Sequence, residues 1–534
     1  MILPAPKIHR LELIALLGIL FLAAFLRLFA PGVVEFKRDE ANLSSLALDF
    51  ARGHSLPLLG ISSSVGIPNS PVSVYIFSLP YLLTSDPIVA TQFVGLLNVV
   101  AVLLTYLLTR RYYGAGAALL AALLYAVSPW GVIYSRKIWA QDLLPPFVLA
   151  TMLTGLIAFV EGKRCVQWLC LPLLSITTQI PYSALLLLFP LGYLVWVGRR
   201  HLKRTFVLSF IPAALFALPF AIGVLQADLP TLDELRAVTA SAGQSRSLGL
   251  SGQMLQYAAL TIAGTDIHSL AGPAAFGQYL AALPDAYPLF SFLAWGLLLS
   301  AMWLLLRLWQ RRDSRSLVDT MLLIWLITPI AIFSITWTEP YPHYLILVMP
   351  AAFIIFAIGA RDLWFALQTR MMLRRVLFTL GGLTLSAILV LQIIFWLSLL
   401  NFLAITNTPQ GFGTPLQYLM PIRQTILLRQ PVPVIARLDG QFIGTNDDTT
   451  VWNFLLYDLP SVRFEDDNTA VYPSESALFL ARGCDGDVEG QFPLRTIDEG
   501  CYQVADRAPE EFLLSDFTAV SGDATFANGV RLLG

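Results

Sequence analysis

The chain has 534 residues, of which 56% are hydrophobic and only 13% charged. A soluble globular domain carries about 25% charged residues, and the mean hydropathy here is +0.68, which excludes an ordinary soluble protein. A formal net charge of -1 gives no reason to expect a nucleic-acid partner.

That near-zero charge conceals two unlike parts. Residues 401–534 hold 8 Arg, no Lys and 18 Asp plus Glu, a net of -10, whereas the first 400 hold 26 Lys plus Arg against 17 Asp plus Glu, a net of +9. The pattern predicts a membrane body over 1–400 and a soluble acidic domain over 401–534.

Eleven apolar segments fit membrane-spanning helices: 11–30, 88–109, 114–134, 143–160, 166–180, 182–198, 205–226, 288–306, 317–336, 342–360 and 376–400. The first resembles a signal segment but is long and has no clear small-residue cleavage site, so it reads as a retained anchor. Short connections carry Lys7 and Arg10, Arg110 and Arg111, Lys163 and Arg164, the GRRHLKR run, RLWQRRDSR, and Arg361 through Arg375. With eleven alternating helices all of these fall on one side. The positive-inside tendency makes that side cytoplasmic. The first loop 31–87, the connection 135–142, the loop 227–287, the WTEPYPHY turn and the tail then face outward from what reads as the cell membrane.

Within the first outer loop, Leu43, Leu46, Ala47 and Phe50 recur at helical spacing, which predicts an amphipathic interfacial helix over 40–51. Residues 71–84 are apolar but too short to span, and Pro80 interrupts them. The tail mixes a helix (TPLQYLMPIRQTILL) with short strand-like runs (PVPVIARL, ALFLA), which predicts a small α/β domain. Cys484 and Cys501 would form a disulfide there if the tail faces an oxidising compartment.

Three outward segments carry the residues with chemistry in reach. Asp39 and Glu40 form an acidic pair, which fits either a helix N-cap with a favourable first-turn charge or a general base. Arg136, Lys137 and Asp142 lie where the third span emerges, as a snorkelling basic pair or as a phosphate clamp. His343 and Tyr344 lie at the next interface, where aromatic anchoring explains Tyr equally well. The sequence holds no Walker loop, no Rossmann glycine pattern, no HExxH and no paired CxxC. Nucleotide use, a cofactor and a divalent metal therefore find no support in it.

On these residues the chain resembles the GT-C membrane glycosyltransferases of the protein O-mannosyltransferase type. It is similar to the branch that includes the aminoarabinose transferases of lipid A. The resemblance runs from RDEANLSSLALDFARGHSLPLL through PVSVYIFSLPYLL to the segment ending in SPWGVIYSRKIWAQD, roughly residues 10–160. It implies an enzyme that takes a sugar from a polyprenyl-phosphate carrier at the non-cytoplasmic face. It implies Asp39 as general base and Asp142 in the same cavity. One departure stands out: relatives of that branch often carry a Lys before the Pro that opens the 71–84 segment, where this chain has IPNSP. Phosphate holding then falls to Arg136 first, with Lys137 and His343 as the others, and a metal seen in some relatives is not implied.

The expected protein is thus an all-α polytopic membrane glycosyltransferase of GT-C type with a small extracytoplasmic α/β domain. Its partners are a lipid-linked sugar donor and membrane lipids, with the acceptor open. Two alternatives stay in view. One is a transporter or flippase of lipid-linked glycans; the other is a ligase or polymerase, for which Arg236, Arg246 and His268 in the second large loop are the pertinent residues.

Overall fold

The computed structural model describes the chain except for residues 1–7, 63–66, 228–249, 268–276, 278, 280–285, 311–313, 336–340, 407, 409–410, 439–447, 461, 466–472, 474, 483–501, 509–523, 526–530 and 533–534. Cys484, Cys501, Arg236, Arg246 and His268 lie outside the described residues.

The membrane body is built from α1 (Arg10–Leu28), α2 (Arg38–Ala51), α3 (Val72–Tyr81), α4 (Pro87–Tyr113), α5 (Ala115–Val127), α6 (Leu144–Gly155), α7 (Arg164–Gln179), α8 (Leu188–Val197), α9 (Phe210–Gln226), α10 (Gln253–Ala263), α11 (Tyr287–Gln310), α12 (Ser314–Phe333), α13 (Met349–Ala366) and α14 (Met371–Ile405). Among the described residues, eight helical segments are long and apolar enough to cross a membrane. The other expected spans, 114–134, 166–180 and 182–198, are shorter or broken helices. Proline is the main reason. The α-region is disfavoured for the residue before a proline, and Ser128 before Pro129 accordingly sits at φ -49°, ψ 117°, ending α5 after 13 residues. Pro181 likewise separates α7 from the next helical stretch.

α1 shows why lipid is required. It buries Leu16, Ala23 and Leu26 but leaves Leu11, Ile14, Leu17 and Phe21 exposed, an arrangement that only an apolar solvent makes favourable. The expected interfacial helix is α2, and the 71–84 segment is the short helix α3, which does not span.

Between α4 and α5 the chain reverses at Gly114, with φ 91° and ψ 175°, a region open essentially to glycine alone. The turn packs the two helices side by side, so the ends of α4 and α13 lie together. Ion pairs tie this end of the bundle. Glu12 meets Arg110 at 2.5 Å, Arg111 pairs with Glu161, and Arg307 pairs with both Asp319 and Asp362.

After α14, the helices α15 (Leu416–Leu428) and α16 (Asp448–Leu455) accompany strands β1 (Val434–Arg437), β2 (Val462–Glu465), β3 (Ala477–Arg482) and β4 (Tyr502–Arg507). The sheet order is β2-β1-β3-β4, with β1 parallel to β2 and β3 and β4 antiparallel to β3. This α/β part rests on the amphipathic helices. Phe454 stacks against Phe36 at 5.5 Å and Tyr81 at 5.8 Å, and Gln417 donates its N–H to the Gly32 carbonyl at 2.9 Å.

Replacing Gly114 by Ala keeps the space, since an added Cβ meets nothing within 4 Å, but forces an L-residue into that backbone region. The expected loss is about 1–3 kcal/mol, read as a lowered melting midpoint of the protein in detergent. An unchanged midpoint would show that the turn relaxes freely.

Candidate functional site

The segment after Pro129 is positioned by two buried arginines. Ending α5 frees carbonyls that hydrocarbon cannot solvate. Arg27, 1% exposed, donates to Ala126 O at 2.8 Å and to Tyr125 O at 3.2 Å. Arg136, 4% exposed, does the same for the end of α1. It reaches Arg27 O at 2.8 Å and Leu26 O at 3.4 Å through Nη1, and Ala30 O at 3.0 Å and Val33 O at 3.3 Å through Nη2. Cations at helix C-termini also meet the negative end of the dipole. All four terminal N–H groups of Arg136 are therefore spoken for, so the residue ranked first for phosphate is placed as a staple between α1 and its own loop.

Lys137 is the cation with a different setting. Its ammonium lies 3.4 Å from Glu35 Oε2 and 3.1 Å from Glu40 Oε1, and 4.4 Å from the centre of the Trp139 ring. Glu35 also binds Lys37 at 2.5 Å. Lys37 in turn donates to the Gly411 carbonyl at 2.6 Å, which joins the chain following α14 to the cluster. Burial works against the charge on Lys137, but Glu35, Glu40 and Asp142 together raise its pKa, so it stays an ammonium. Burial raises Glu40, with Glu35 adding to the rise against the pull of Lys137. Glu35 is opposed by burial too, yet Lys137 and Lys37 together hold it lower.

The acidic pair divides. Glu40, 2% exposed, accepts the Lys37 backbone N–H at 3.0 Å, the reciprocal bond of an N3 glutamate. The N-cap position is Lys37 rather than Asp39, which corrects the capping alternative. Asp39 lies one residue inside α2, exposed, and among the described residues no hydrogen bond or ion pair reaches its carboxylate.

Asp142 is fully buried, and both of its carboxylate oxygens are without a hydrogen-bond partner among the described residues. Its carbonyl accepts from Asn98 Nδ2 at 2.8 Å, fixing it beside α4. His343 packs edge-on against Trp139, with ring centres 4.9 Å apart, and stacks with Tyr341 at 5.4 Å. Tyr344 stacks on Phe333 at 4.7 Å. Lys137 and His343 thus both pack on Trp139, and three segments distant in sequence share one region.

Four neighbours escape a reading of the sequence: Glu35, Lys37, Tyr134 and Trp396. A small cavity of about 40 Å³ is lined by Glu35, Tyr134, Arg136, Lys137 and Trp396 together with apolar side chains, and the buried Trp396 Nε1 has no partner among the described residues. The EFK triplet ahead of the acidic pair was the available signal for Glu35 and Lys37. A metal does not fit these residues. Among those described, no group of three or more His, Cys, Asp or Glu could hold an ion, and Glu35 and Glu40 bind Lys137 instead.

His343 sits in the turn Pro342–Leu347, ahead of the span Met349–Ala366. Burial, then the nearby Lys137 charge, pushes its pKa down to about 3. The unfolded chain takes up that proton near pH 6.5, so the stability this residue contributes is full above about pH 6.5 and is lost as pH falls toward about 3. Between about pH 7.5 and 5 the melting midpoint should fall less in His343→Gln than in the native chain. Equal falls in the two proteins would remove His343 as the cause.

Comparisons with known proteins bear on the fold. Residues 68–225 match the family described as dolichyl-phosphate-mannose-protein mannosyltransferase. The crystal structure of ArnT from Cupriavidus metallidurans bound to undecaprenyl phosphate is 12% identical, covering 92% of this chain and 97% of that one with a TM-score of 0.53. Its apo state is 13% identical, covering 94% and 98% with a TM-score of 0.52. The apo oligosaccharyltransferase of Archaeoglobus fulgidus is 15% identical, covering 85% of this chain and 64% of that one at a TM-score of 0.49. No curated protein sequence matches. The family match and the fold shared with ArnT bear out the resemblance read in the sequence, and the chain is a multi-pass membrane protein of the GT-C glycosyltransferase fold.

Proposed function

We propose that the chain transfers a sugar from a polyprenyl-phosphate carrier to a hydroxyl acceptor, at the bundle end that gathers Glu35, Glu40, Lys137 and His343. The observation that carries this reading is the contrast within the acidic pair. Glu40 is locked by Lys137 and the Lys37 N–H, while Asp39 is exposed and unbonded at the start of the same helix. A carboxylate free of partners, one residue from a glutamate paired with a buried cation, suits proton abstraction near a phosphate leaving group. The ArnT structure, bound to undecaprenyl phosphate, supplies the precedent for the carrier.

In this mechanism the Asp39 carboxylate accepts the acceptor hydroxyl proton as that oxygen bonds to the anomeric carbon. The carbon–oxygen bond to the carrier breaks on the opposite face, and the carrier phosphate departs with the electron pair. A single displacement inverts the anomeric centre. Lys137, the ammonium between Glu35 and Glu40, holds the phosphate. Arg136 positions Lys137 through the backbone. Asp142 adds its negative charge near the Lys137 ammonium, and His343 and Tyr344 supply aromatic surface beside Trp139.

Residues 1–400 form the transferase domain in this reading, and 401–534 a soluble domain on the same side as the site. The basic connections then face the cytoplasm and the site faces outward across the cell membrane. A reporter active only in the cytoplasm, fused after Gly534, should stay silent; activity there would reverse the orientation.

The decisive variant is Asp39→Asn, which keeps shape but cannot take a proton at neutral pH. Positioned proton transfer is worth about 100- to 10,000-fold, so transfer from a polyprenyl-phosphate sugar should drop at least about a hundredfold with expression and melting unchanged. Lys137→Gln should weaken donor use, whereas Glu40→Gln should be milder in rate than Asp39→Asn. Near-native transfer by Asp39→Asn would reject the assignment of the base.

A further inference from the structure

The opposite end of the bundle holds a second cavity that the transfer reaction does not use. It encloses about 540 Å³ between the α4–α5 turn and the turn from α13 into α14. From Asn98, which touches the Asp142 carbonyl, α4 runs fifteen residues to Tyr113 at the cavity wall, about 22 Å at 1.5 Å per residue. The two sites therefore lie at opposite faces of the membrane body.

The lining is divided by chemistry. One wall is backbone: Gly114, Ala115, Gly116 and Ala117, the first turn of α5, whose leading N–H groups have no carbonyl a turn earlier to receive them. A Cβ added at Gly114 or Gly116 would meet nothing within 4 Å, so this backbone borders open space. Arg361 stands on the same cavity. Its carboxylate partner among the described residues, Asp362 at 2.7 Å, is shared with Arg307. The other walls are apolar and aromatic, including Leu120, Trp364, Phe365 and Phe378. Arg374 lies 4.4 Å over the Trp364 ring, and its Nε is closed off without a hydrogen-bond partner among the described residues.

We propose that this cavity binds the headgroup of an anionic phospholipid from the leaflet at that end. An anionic phosphate would take the free N–H groups of the α5 first turn, a ready anion site, with Arg361 beside it. The aromatic walls would receive the glycerol and upper acyl region. Basic pockets between spanning helices are suited to such headgroups, and the volume falls within the range of small-ligand sites, roughly 300–1,000 Å³. A zwitterionic headgroup offers the same tail but brings its own cation against Arg361. Selectivity for the anionic lipid is therefore the signature.

The test uses the full chain, delipidated in detergent, and titrates phosphatidylglycerol or phosphatidylcholine of identical acyl chains by native mass spectrometry. The native protein should retain one phosphatidylglycerol at several-fold lower lipid concentration than phosphatidylcholine. Arg361→Gln should weaken phosphatidylglycerol about fivefold and leave phosphatidylcholine unchanged. Gly116→Leu, which places a side chain in the open space, should remove the retained lipid of either kind. Equal binding of both lipids to the native protein would overturn the proposal. So would a phosphatidylglycerol preference that survives both substitutions.

Discussion

The ammonium of Lys137 is the interaction on which the site depends. It lies between two carboxylates of one short segment, Glu35 ahead of α2 and Glu40 in its first turn. A buried cation without such partners would be untenable, and removing one member of a buried pair typically costs about 3–5 kcal/mol. Because Glu35 also holds Lys37, and Lys37 the Gly411 carbonyl, one charge cluster fixes the entry into α2, the segment after α5 and the start of the tail. The freedom of Asp39 is a consequence. The cluster satisfies its neighbour Glu40 and leaves Asp39 exposed at the rim.

That cluster is placed by a broken helix. Pro129 ends α5 after 13 residues, and the freed carbonyls would be intolerable in hydrocarbon. Arg27 and Arg136 supply donors on both sides of the break. The second of these precedes Lys137 directly in sequence, so the staple that repairs the backbone also fixes where the buried ammonium begins. A residue that looks like a phosphate clamp by charge is spent on backbone carbonyls, and the one next to it is held by carboxylates instead.

The two ends of the bundle handle charge in different ways. At the α4–α5 turn, arginines meet carboxylates in close pairs around Tyr113, whose hydroxyl donates to Asp319 at 2.6 Å. At the other end, carboxylates are pinned by lysines, Asp142 has no side-chain partner among the described residues, and Asp39 remains open. The first arrangement neutralises; the second retains reactive groups. The α/β tail meets the α2–α3 region through Phe454, which packs against Phe36 and Tyr81.

Much of this was legible in the sequence because it rests on period and composition. Apolar length identified a polytopic membrane protein, the spacing of Leu43, Leu46, Ala47 and Phe50 located α2, and the runs PVPVIARL and ALFLA marked β1 and β3. The segments 114–134, 166–180 and 182–198 read as spans but are shorter or broken helices, because hydropathy is blind to where proline severs a helix, as at Ser128 and Pro129. The candidate site was legible as three segments, Asp39–Glu40, Arg136–Asp142 and His343–Tyr344, since each stands out from apolar surroundings. Which member of each pair is occupied was not. Arg136 and Lys137, or Asp39 and Glu40, are adjacent and alike in charge, and only the fold decides which finds carbonyls or counter-ions and which is left facing the pocket. Residue type sets what a side chain is able to do, and tertiary contacts set which of those capacities is already used.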